Sequence, residues 1–302
     1  MLTSPGRRDG VRPDFPYQGS SATVDALIAA ARAILHDAGI DDPRREARWL
    51  LARVSGISES RLLTYPDEHV DPAAAARFQD AVRRRAAREP FAYVVGEREF
   101  YGRPFLVDRR VLVPRPESEL LVAEALVILA DRSWPSALVV DVGTGSGAIA
   151  CTLAAEIEVG HTRVVGCDVS HEALTVAARS RNRLGLRGRV HLVQGGLLSW
   201  LRQPADLVVA NLPYIPGARL PTLMPEVAHW EPRLALDGGP DGLDLVRALL
   251  ADARRAVKPG GSILLELDPE QMAPARALLP SAESRVIPDL AGLDRVLRLD
   301  LP

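Results

Sequence analysis

An amide, a proline and an aromatic ring stand together at Asn211-Leu212-Pro213-Tyr214, directly after the apolar run Leu207-Val208-Val209-Ala210. Asn and Pro commonly end strands, so the stretch is consistent with a plain strand-terminating turn. It also has the makings of a clamp for a planar NH2 group. The Asn211 side-chain oxygen and a backbone carbonyl in the Leu212-Pro213 turn would accept its two hydrogens, and Tyr214 would cover its flat face. A second chemical stretch is Asp141-Val142-Gly143-Thr144-Gly145-Ser146-Gly147-Ala148. Its glycines let the backbone turn sharply and leave room for a ligand against a helix N-terminus. Gly143-x-Gly145-x-x-Ala148 also satisfies the loose dinucleotide fingerprint, with Asp168 following at about the expected 20 residues to accept from ribose hydroxyls. The loop therefore points to a nucleotide-like cosubstrate without saying which. Asp168 could instead cap the helix after it, a role Ser170 could also fill.

The elements that must position these groups begin at residue 137. Apolar runs and helical patterns alternate from there, as in a doubly wound α/β sheet. Strands are expected at 137–142, 163–167, 190–193, 206–210 and 262–267, with two more at 284–287 and 295–299. Helices are expected near 147–157, 170–184 and 241–257. Ligands of open α/β sheets bind beyond the carboxyl ends of the strands, where the glycine loop, Asp168 and Asn211 all fall. Asp141, before the first glycine, would hold a cationic ligand and repel a pyrophosphate. Together, Asp141, the loop, Asp168 and residues 211–214 describe a site for S-adenosylmethionine facing a planar, NH2-bearing acceptor.

Ahead of the sheet lies a helical segment. Thr23 can cap a helix whose Val24, Leu27, Ile28, Ala31, Ile34 and Leu35 share one face, and Asp42-Pro43, Ser58 and Asp71-Pro72 start three more. Residues 22–88 read as a small helical bundle. It ends in Arg83-Arg84-Arg85, which suits a solvated helix C-terminus or an acidic partner. The pattern then changes to period two at 91–94, 99–101 and 105–107, interrupted by Gly102-Arg103-Pro104, which predicts a β-hairpin linker over 89–113. In Val113-Pro114-Arg115-Pro116-Glu117-Ser118-Glu119 two prolines stiffen a loop that presents Arg115 and Glu117. Those charges suit a cosubstrate or partner, and equally the start of a helix over 120–129. The catalytic domain is expected to span 114–302. Residues 1–21, with several prolines and no apolar h-region, are expected to be a flexible tail and not a signal peptide.

Composition narrows the class. With 47% hydrophobic and 25% charged residues the chain reads as an ordinary soluble protein, and a net charge of -2 argues against a globally basic nucleic-acid binder. No run approaches the ~18 apolar residues of a membrane span. Cys151 and Cys167 have no partners at metal-ligand spacing, so they are expected to pack as small apolar residues in a reducing compartment. The expectation is a cytoplasmic monomer without a metal, a membrane anchor or a stable nucleic-acid partner.

Six segments in order carry a resemblance. They are Glu89-Pro90-Phe91-Ala92-Tyr93, residues 96–102, residues 113–119, residues 141–147, Asn211-Leu212-Pro213-Tyr214, and Glu231-Pro232-Arg233-Leu234-Ala235-Leu236-Asp237-Gly238-Gly239. As a set they resemble the peptide-chain release factor glutamine N5-methyltransferase family, from about residue 23 onward. The resemblance implies a class I S-adenosylmethionine-dependent methyltransferase, a Rossmann-like α/β fold with a mostly parallel seven-stranded sheet and a helical domain that helps recognise the release factor. It implies methylation of the glutamine in the Gly-Gly-Gln loop of class-1 peptide-chain release factors. Gly143, Thr144, Gly145, Ser146, Gly147 and Asp168 would hold S-adenosylmethionine, and Asn211, Pro213 and Tyr214 would grip the glutamine amide. Two positions depart from the family pattern. Leu212 stands where proline is usual, which makes the motif similar also to that of ribosomal RNA adenine dimethyltransferases. Gly196 stands where an acid is frequent, leaving the adenine amino group without that acceptor, although Leu197 could still pack on the ring. Three other readings stay open: an adenine N6-methyltransferase, a glutamine methyltransferase acting on a ribosomal protein, and a binding module without turnover.

Overall fold

A computed structural model describes residues 22–132, 134, 136–157 and 162–302. The expected tail, 1–21, lies outside them. The described chain divides into two compact units, one ending at Val95 and the other spanning Gly96–Pro302.

The first unit is helical: α1 (Val24–Asp37), α2 (Pro43–Ser55), α3 (Glu59–Thr64), α4 (Pro72–Ala86) and α5 (Phe91–Val95). Its starts are chemically marked, since Thr23, Asp42, Ser58 and Asp71 each accept a backbone N–H of the first turn. Leu27, Leu35, Leu50, Leu51 and Phe78 are fully buried at its centre. The arginine run at its end is divided. Arg85 is buried and donates to Glu46 at 2.7 Å, while Arg84 reaches Glu89. Phe91–Val95 corrects the sequence expectation, because the period-two run at 91–94 is helical. Pro90 supplies the carbonyl that accepts from Tyr93 and Val94. Phe91 packs edge-on to Trp49 at 5.9 Å, and the burial gained there overrides the strand preference of Tyr and Val.

The second unit opens with a hairpin of β1 (Glu97–Phe100) and β2 (Arg103–Leu106). Tyr101 (φ 51°) and Gly102 (φ 70°) make its turn. After it come α6 (Glu119–Asp131), β3 (Leu138–Val142), α7 (Ala148–Glu156), β4 (Arg163–Asp168), α8 (His171–Arg183), β5 (Val190–Gln194), β6 (Ala205–Ala210), α9 (Pro225–Trp230), α10 (Asp244–Ala251), α11 (Ala253–Ala256), β7 (Val257–Glu266), α12 (Met272–Ala277), β8 (Glu283–Pro288) and β9 (Asp294–Asp300). The segment 89–113 is thus shared between the units, α5 on the first and the hairpin on the second. Phe100 and Phe105 are buried with Leu121 and Ile128 of α6, and the Leu106 N–H donates to Ser180 of α8 at 3.2 Å.

The main sheet has seven strands in the order β5-β4-β3-β6-β7-β9-β8. The pairs β4–β5, β3–β4, β3–β6 and β6–β7 are parallel, and β9 runs antiparallel to both its neighbours. Strand order reverses across β3 and β6, so a crevice opens beyond their carboxyl ends. β6 is buried along its whole length, which explains its unbroken apolar run. The antiparallel strand is tied down at its end. Asp300 accepts from Arg132, the residue after α6, at 2.6 Å, from Arg298 at 2.8 Å and from the Ser262 hydroxyl of β7 at 2.5 Å. Asp300→Ala should leave Arg132 and Ser262 without this acceptor and Arg298 with Glu124 alone, and lower stability by ~1–3 kcal/mol in denaturant titrations.

Candidate functional site

Four parallel strands deliver the chemistry to one edge. β3 ends in the glycine loop, β4 in Asp168, β5 runs on to Gly196 and Leu197, and β6 ends at Asn211. They surround a cavity of about 580 Å3 whose wall includes Gly143, Gly145, Asp168, Gly196, Leu197, Asn211, Leu212 and Pro213. Arg109, Arg110, Leu112 and the exposed Leu234 complete its rim.

The loop takes its shape from glycine. Gly143, Gly145 and Gly147 sit at φ 74°, 54° and 81°, where a side chain would be strained. The Gly143 and Thr144 N–H groups both donate to the Cys167 carbonyl at 2.9 Å, and Gly147 closes back on Thr144 at 2.8 Å. Asp168 joins the loop from β4. Its Oδ2 accepts from the Gly145 N–H at 3.0 Å and its Oδ1 from the Ser170 N–H at 2.8 Å. Burial raises its pKa while those N–H groups lower it. Each oxygen keeps a lone pair for a ligand hydroxyl, and Ser170 itself caps α8 through the Ala173 N–H.

Asp141 is not on the cavity wall. It is 1% exposed beneath the loop, where its Oδ2 accepts from the Thr144 hydroxyl at 2.6 Å and the Ala150 N–H at 3.1 Å. Burial without a cation drives its pKa to about 7. The expected contact between Asp141 and a cationic ligand is therefore replaced by bracing: the carboxyl joins β3, the loop and α7. Thr144 and Ser146 are buried in the same layer. Gly166 of β4 makes room for Thr144, since a Cβ there would lie 2.6 Å from its hydroxyl.

Leu197 faces the cavity in the left-handed region, φ 47°. Its carbonyl accepts from the Trp200 indole at 2.9 Å and the Cys167 thiol at 3.3 Å, contacts that hold the unfavourable backbone in place. Cys151 and Cys167 are both free and buried. Gly196 has open space where a Cβ would stand, so no neighbour fills the position of the missing acid.

At the clamp, Asn211 donates its NH2 to the Ser118 hydroxyl at 2.9 Å, and its Oδ1 has no partner among the described residues. Leu212 is 4% exposed and packs toward the loop, its Cδ2 3.4 Å from where a Gly143 Cβ would be. Tyr214 is outside the cavity wall, its ring against the core cluster below β7. Burial and the nearby Glu266 and Asp268 carboxyls push its phenol pKa upward. The rear wall is main chain. Ile215 N–H donates to Leu236, Gly238 N–H to Ile215, and Gln271 donates to the Tyr214 carbonyl at 2.8 Å. A Cβ on Gly238 would come within 2.6 Å of the Pro213 carbonyl, and one on Gly242 would strike the Tyr214 carbonyl. This accounts for Gly238 and Gly242.

Arg115 and Glu117 fall outside the cavity wall. Arg115 donates to Glu231 at 2.6 Å, a carboxylate whose side chain is 1% exposed and whose pKa burial raises against the pull of Arg115. The pair fastens the loop 113–117 to the segment that carries Leu234 to the rim. Glu117 is exposed. Ser118, which accepts from Asn211, is the polar group at the clamp that the motifs do not mark.

Comparison with known proteins places this geometry. The family described as the PrmC N-terminal domain matches residues 26–96, and that described as a methyltransferase domain matches 139–230. A release factor glutamine methyltransferase of Cereibacter sphaeroides is 42% identical over 282 residues, covering 92% of this chain and 98% of its own. Its namesake in Moorella thermoacetica is 45% identical over 280 residues, covering 90% and 96%. Among solved structures, the catalytic domain of hMettl16 in complex with MAT2A 3'UTR hairpin 6 is similar in fold, with a TM-score of 0.55 at 14% identity over 74% of this chain and 82% of its own. The fold is that of a class I, Rossmann-like methyltransferase.

The Asp141 pKa sets a sign for stability. A carboxyl raised from 3.8 to about 7 on folding contributes most below the lower value, and that contribution is lost as pH rises toward 7. Asp141→Asn keeps an acceptor for Thr144 but cannot ionise. Thermal melts of the ligand-free protein between pH 4 and 7 should therefore be flatter for the variant than for the wild type.

Proposed function

The chain belongs to the release factor glutamine methyltransferase family, and from that premise we propose the roles of its site residues in methylating the side-chain amide nitrogen (N5) of a release-factor glutamine. The methyl donor is S-adenosylmethionine, and the acceptor is the glutamine of the Gly-Gly-Gln motif of class-1 peptide-chain release factors. The observation that carries the site reading is the Asn211 amide, whose NH2 is tied to Ser118 while its oxygen is left free beside the glycine cradle.

The residues of the cavity fit the donor. The bare Cα atoms of Gly143 and Gly145 leave space along one wall, Asp168 keeps lone pairs for ribose hydroxyls, and Leu197 offers an apolar face for a base. Asp141, Thr144, Ser146 and Gly147 hold the loop that makes this shape. When bound, S-adenosylmethionine supplies a methyl group already activated by cationic sulfur, so the proposed reaction calls on no metal. An amide nitrogen is a weak nucleophile because its lone pair is delocalised into the carbonyl. Asn211 Oδ1 and a carbonyl of the Leu212-Pro213 turn accept the two amide hydrogens of the glutamine and turn the nitrogen toward the donor. Such alignment lowers a barrier by up to ~7–11 kcal/mol. The same acceptors would stabilise the positive charge that develops on nitrogen as the methyl carbon bonds to it and its bond to sulfur breaks, the electron pair staying on sulfur, after which the surplus amide proton would pass to solvent. Tyr214 and Pro213 shape the turn, and the Arg115–Glu231 pair with Glu117 shapes the entrance.

We assign recognition of the release factor to the helical region 22–88, with 89–113 joining it to the catalytic region 114–302. No helix among the described residues is long and apolar enough to cross a membrane. Action in the cytoplasm as a monomer, without a stable nucleic-acid partner, completes the proposal.

Labelled S-adenosylmethionine offered in parallel with a class-1 release factor, ribosomal proteins and ribosomal RNA tests the acceptor. Mass spectrometry should place the label on the Gly-Gly-Gln glutamine, and label on adenine or a ribosomal protein would overturn it. Asn211→Ala should slow turnover ~10–100-fold, the equivalent of ~1–3 kcal/mol for an unmet donor, with little change in S-adenosylmethionine affinity. Asp168→Ala should do the reverse in calorimetry, weakening S-adenosylmethionine binding by ~10-fold or more.

A further inference from the structure

The sheet itself says which part of the cavity receives the donor's base. Its strands run β5-β4-β3-β6, with Asp168 closing β4 and Asn211 following β6. Sulfur must lie toward Asn211, and the ribose hydroxyls belong on Asp168. The base leaves the ribose on the side away from sulfur, so it falls at the end of β5. The wall there consists of Val169, Ser170, Gly195, Gly196 and Leu197.

Adenine presents two hydrogens on its 6-amino group and accepts at its ring nitrogens. This corner is poor in acceptors. A carbonyl has two lone pairs, and two carbonyls here have both engaged. That of Gly196 accepts from the Ser199 N–H at 3.2 Å and the Ser199 hydroxyl at 2.8 Å. That of Leu197 accepts from the Trp200 indole and the Cys167 thiol. The Val169 carbonyl takes the Gln194 amide at 3.3 Å, and the Ser170 hydroxyl oxygen takes the Ala173 N–H at 3.1 Å. The N–H groups of Gly196 and Leu197, by contrast, meet no acceptor among the described residues, and they suit ring nitrogens.

The two glycines differ in why they are glycine. A Cβ on Gly195 would strike the Trp200 ring, so packing demands the bare Cα. Nothing lies within 4 Å of a Cβ on Gly196, and its φ is outside the left-handed region, so neither space nor backbone forbids a side chain there. Glycine at this position leaves the corner open and without a carboxylate or amide. Besides Asp168, the cavity wall carries one acid, Glu172 in the first turn of α8, and it is exposed. An exposed carboxylate exchanges water for an amino group with little net gain. Strong rejection of an altered ligand comes from a buried partner left unpaired, and this corner has none to leave. We infer that Gly196 makes the donor site indifferent to the 6-amino group of adenine, the base being held by shape and by main-chain N–H groups. The inference rests on the donor reading of the cavity.

Calorimetry with three ligands tests it: S-adenosylhomocysteine, its analogue with hydrogen in place of the 6-amino group, and its N6,N6-dimethyl analogue. The wild type should bind all three within ~3-fold of one another, because no acceptor loses a hydrogen. Gly196→Asp places a carboxylate at the corner and should favour S-adenosylhomocysteine over both analogues by ~10-fold or more, with thermal melts as a check on folding. A wild-type preference of ~10-fold or more for S-adenosylhomocysteine over the first analogue would overturn the inference. Loss of that preference in Glu172→Ala would then identify the acceptor. Equal binding of the three by a folded Gly196→Asp would overturn the placement of Gly196 beside the 6-position. Asp168→Ala separates the inference from the reading beneath it. Weaker binding of all three ligands leaves the donor reading standing, whereas wild-type affinity for all three would overturn that reading itself.

Discussion

The hydrogen bonds of the buried Asp141 carboxyl are what the rest of the site depends on. One side chain holds the end of β3, the Thr144 hydroxyl inside the loop and the Ala150 N–H in the first turn of α7. Each of those segments alone is short and could adopt other turns. Joined through a single buried acceptor, they leave the glycines little choice of conformation. The Gly145 N–H then points to Asp168, and the neighbouring strand is drawn into the same cradle. A charged ligand contact would have required exposure, which Asp141 does not have. Its value lies in the low-dielectric setting, where a satisfied hydrogen bond is strong and an unsatisfied one is costly.

A second network plays the corresponding part at the clamp. Ser118 comes from the turn before α6, Asn211 from the end of β6, and the backing chain from 236–242. None of these is near another in sequence. The donor half of the site is built from consecutive strand ends, while the acceptor half is assembled across the sheet. That difference explains how much of each could be read in advance.

The strands of the parallel sheet, the glycine loop and the helix starts were legible because each depends on local chemistry: apolar runs, positive φ, capping side chains. The seven-stranded, mostly parallel sheet was legible only through resemblance, and its strand order was not legible at all, since no local signal says that β9 lies between β7 and β8. Phe91–Val95 was misread because four apolar and aromatic residues satisfy a strand and a short buried helix equally, and only Trp49 decides between them. The helices α9 and α12 were not foreseen, being six residues each and carrying prolines that look like turns. Asp141 was read as a ligand contact because sequence gives position along a strand and not depth beneath a loop. Arg115 likewise looked available until its distant partner, Glu231, came into view. Ser118 lay in plain sight between two glutamates, but a serine there is ordinary helix-start chemistry until the side chain opposite it is known.

The main-chain wall behind the clamp has a mechanical consequence. Side-chain walls relax by changing rotamer, whereas carbonyls and glycine Cα atoms at van der Waals distance have nowhere to go. Gly238 against Pro213 and Gly242 against Tyr214 make that half of the site nearly incompressible. Hydrostatic pressure acts on volume and favours states that eliminate voids. Behind the clamp there is no void to remove, so the turn at Pro213 and Tyr214 would keep its shape under compression.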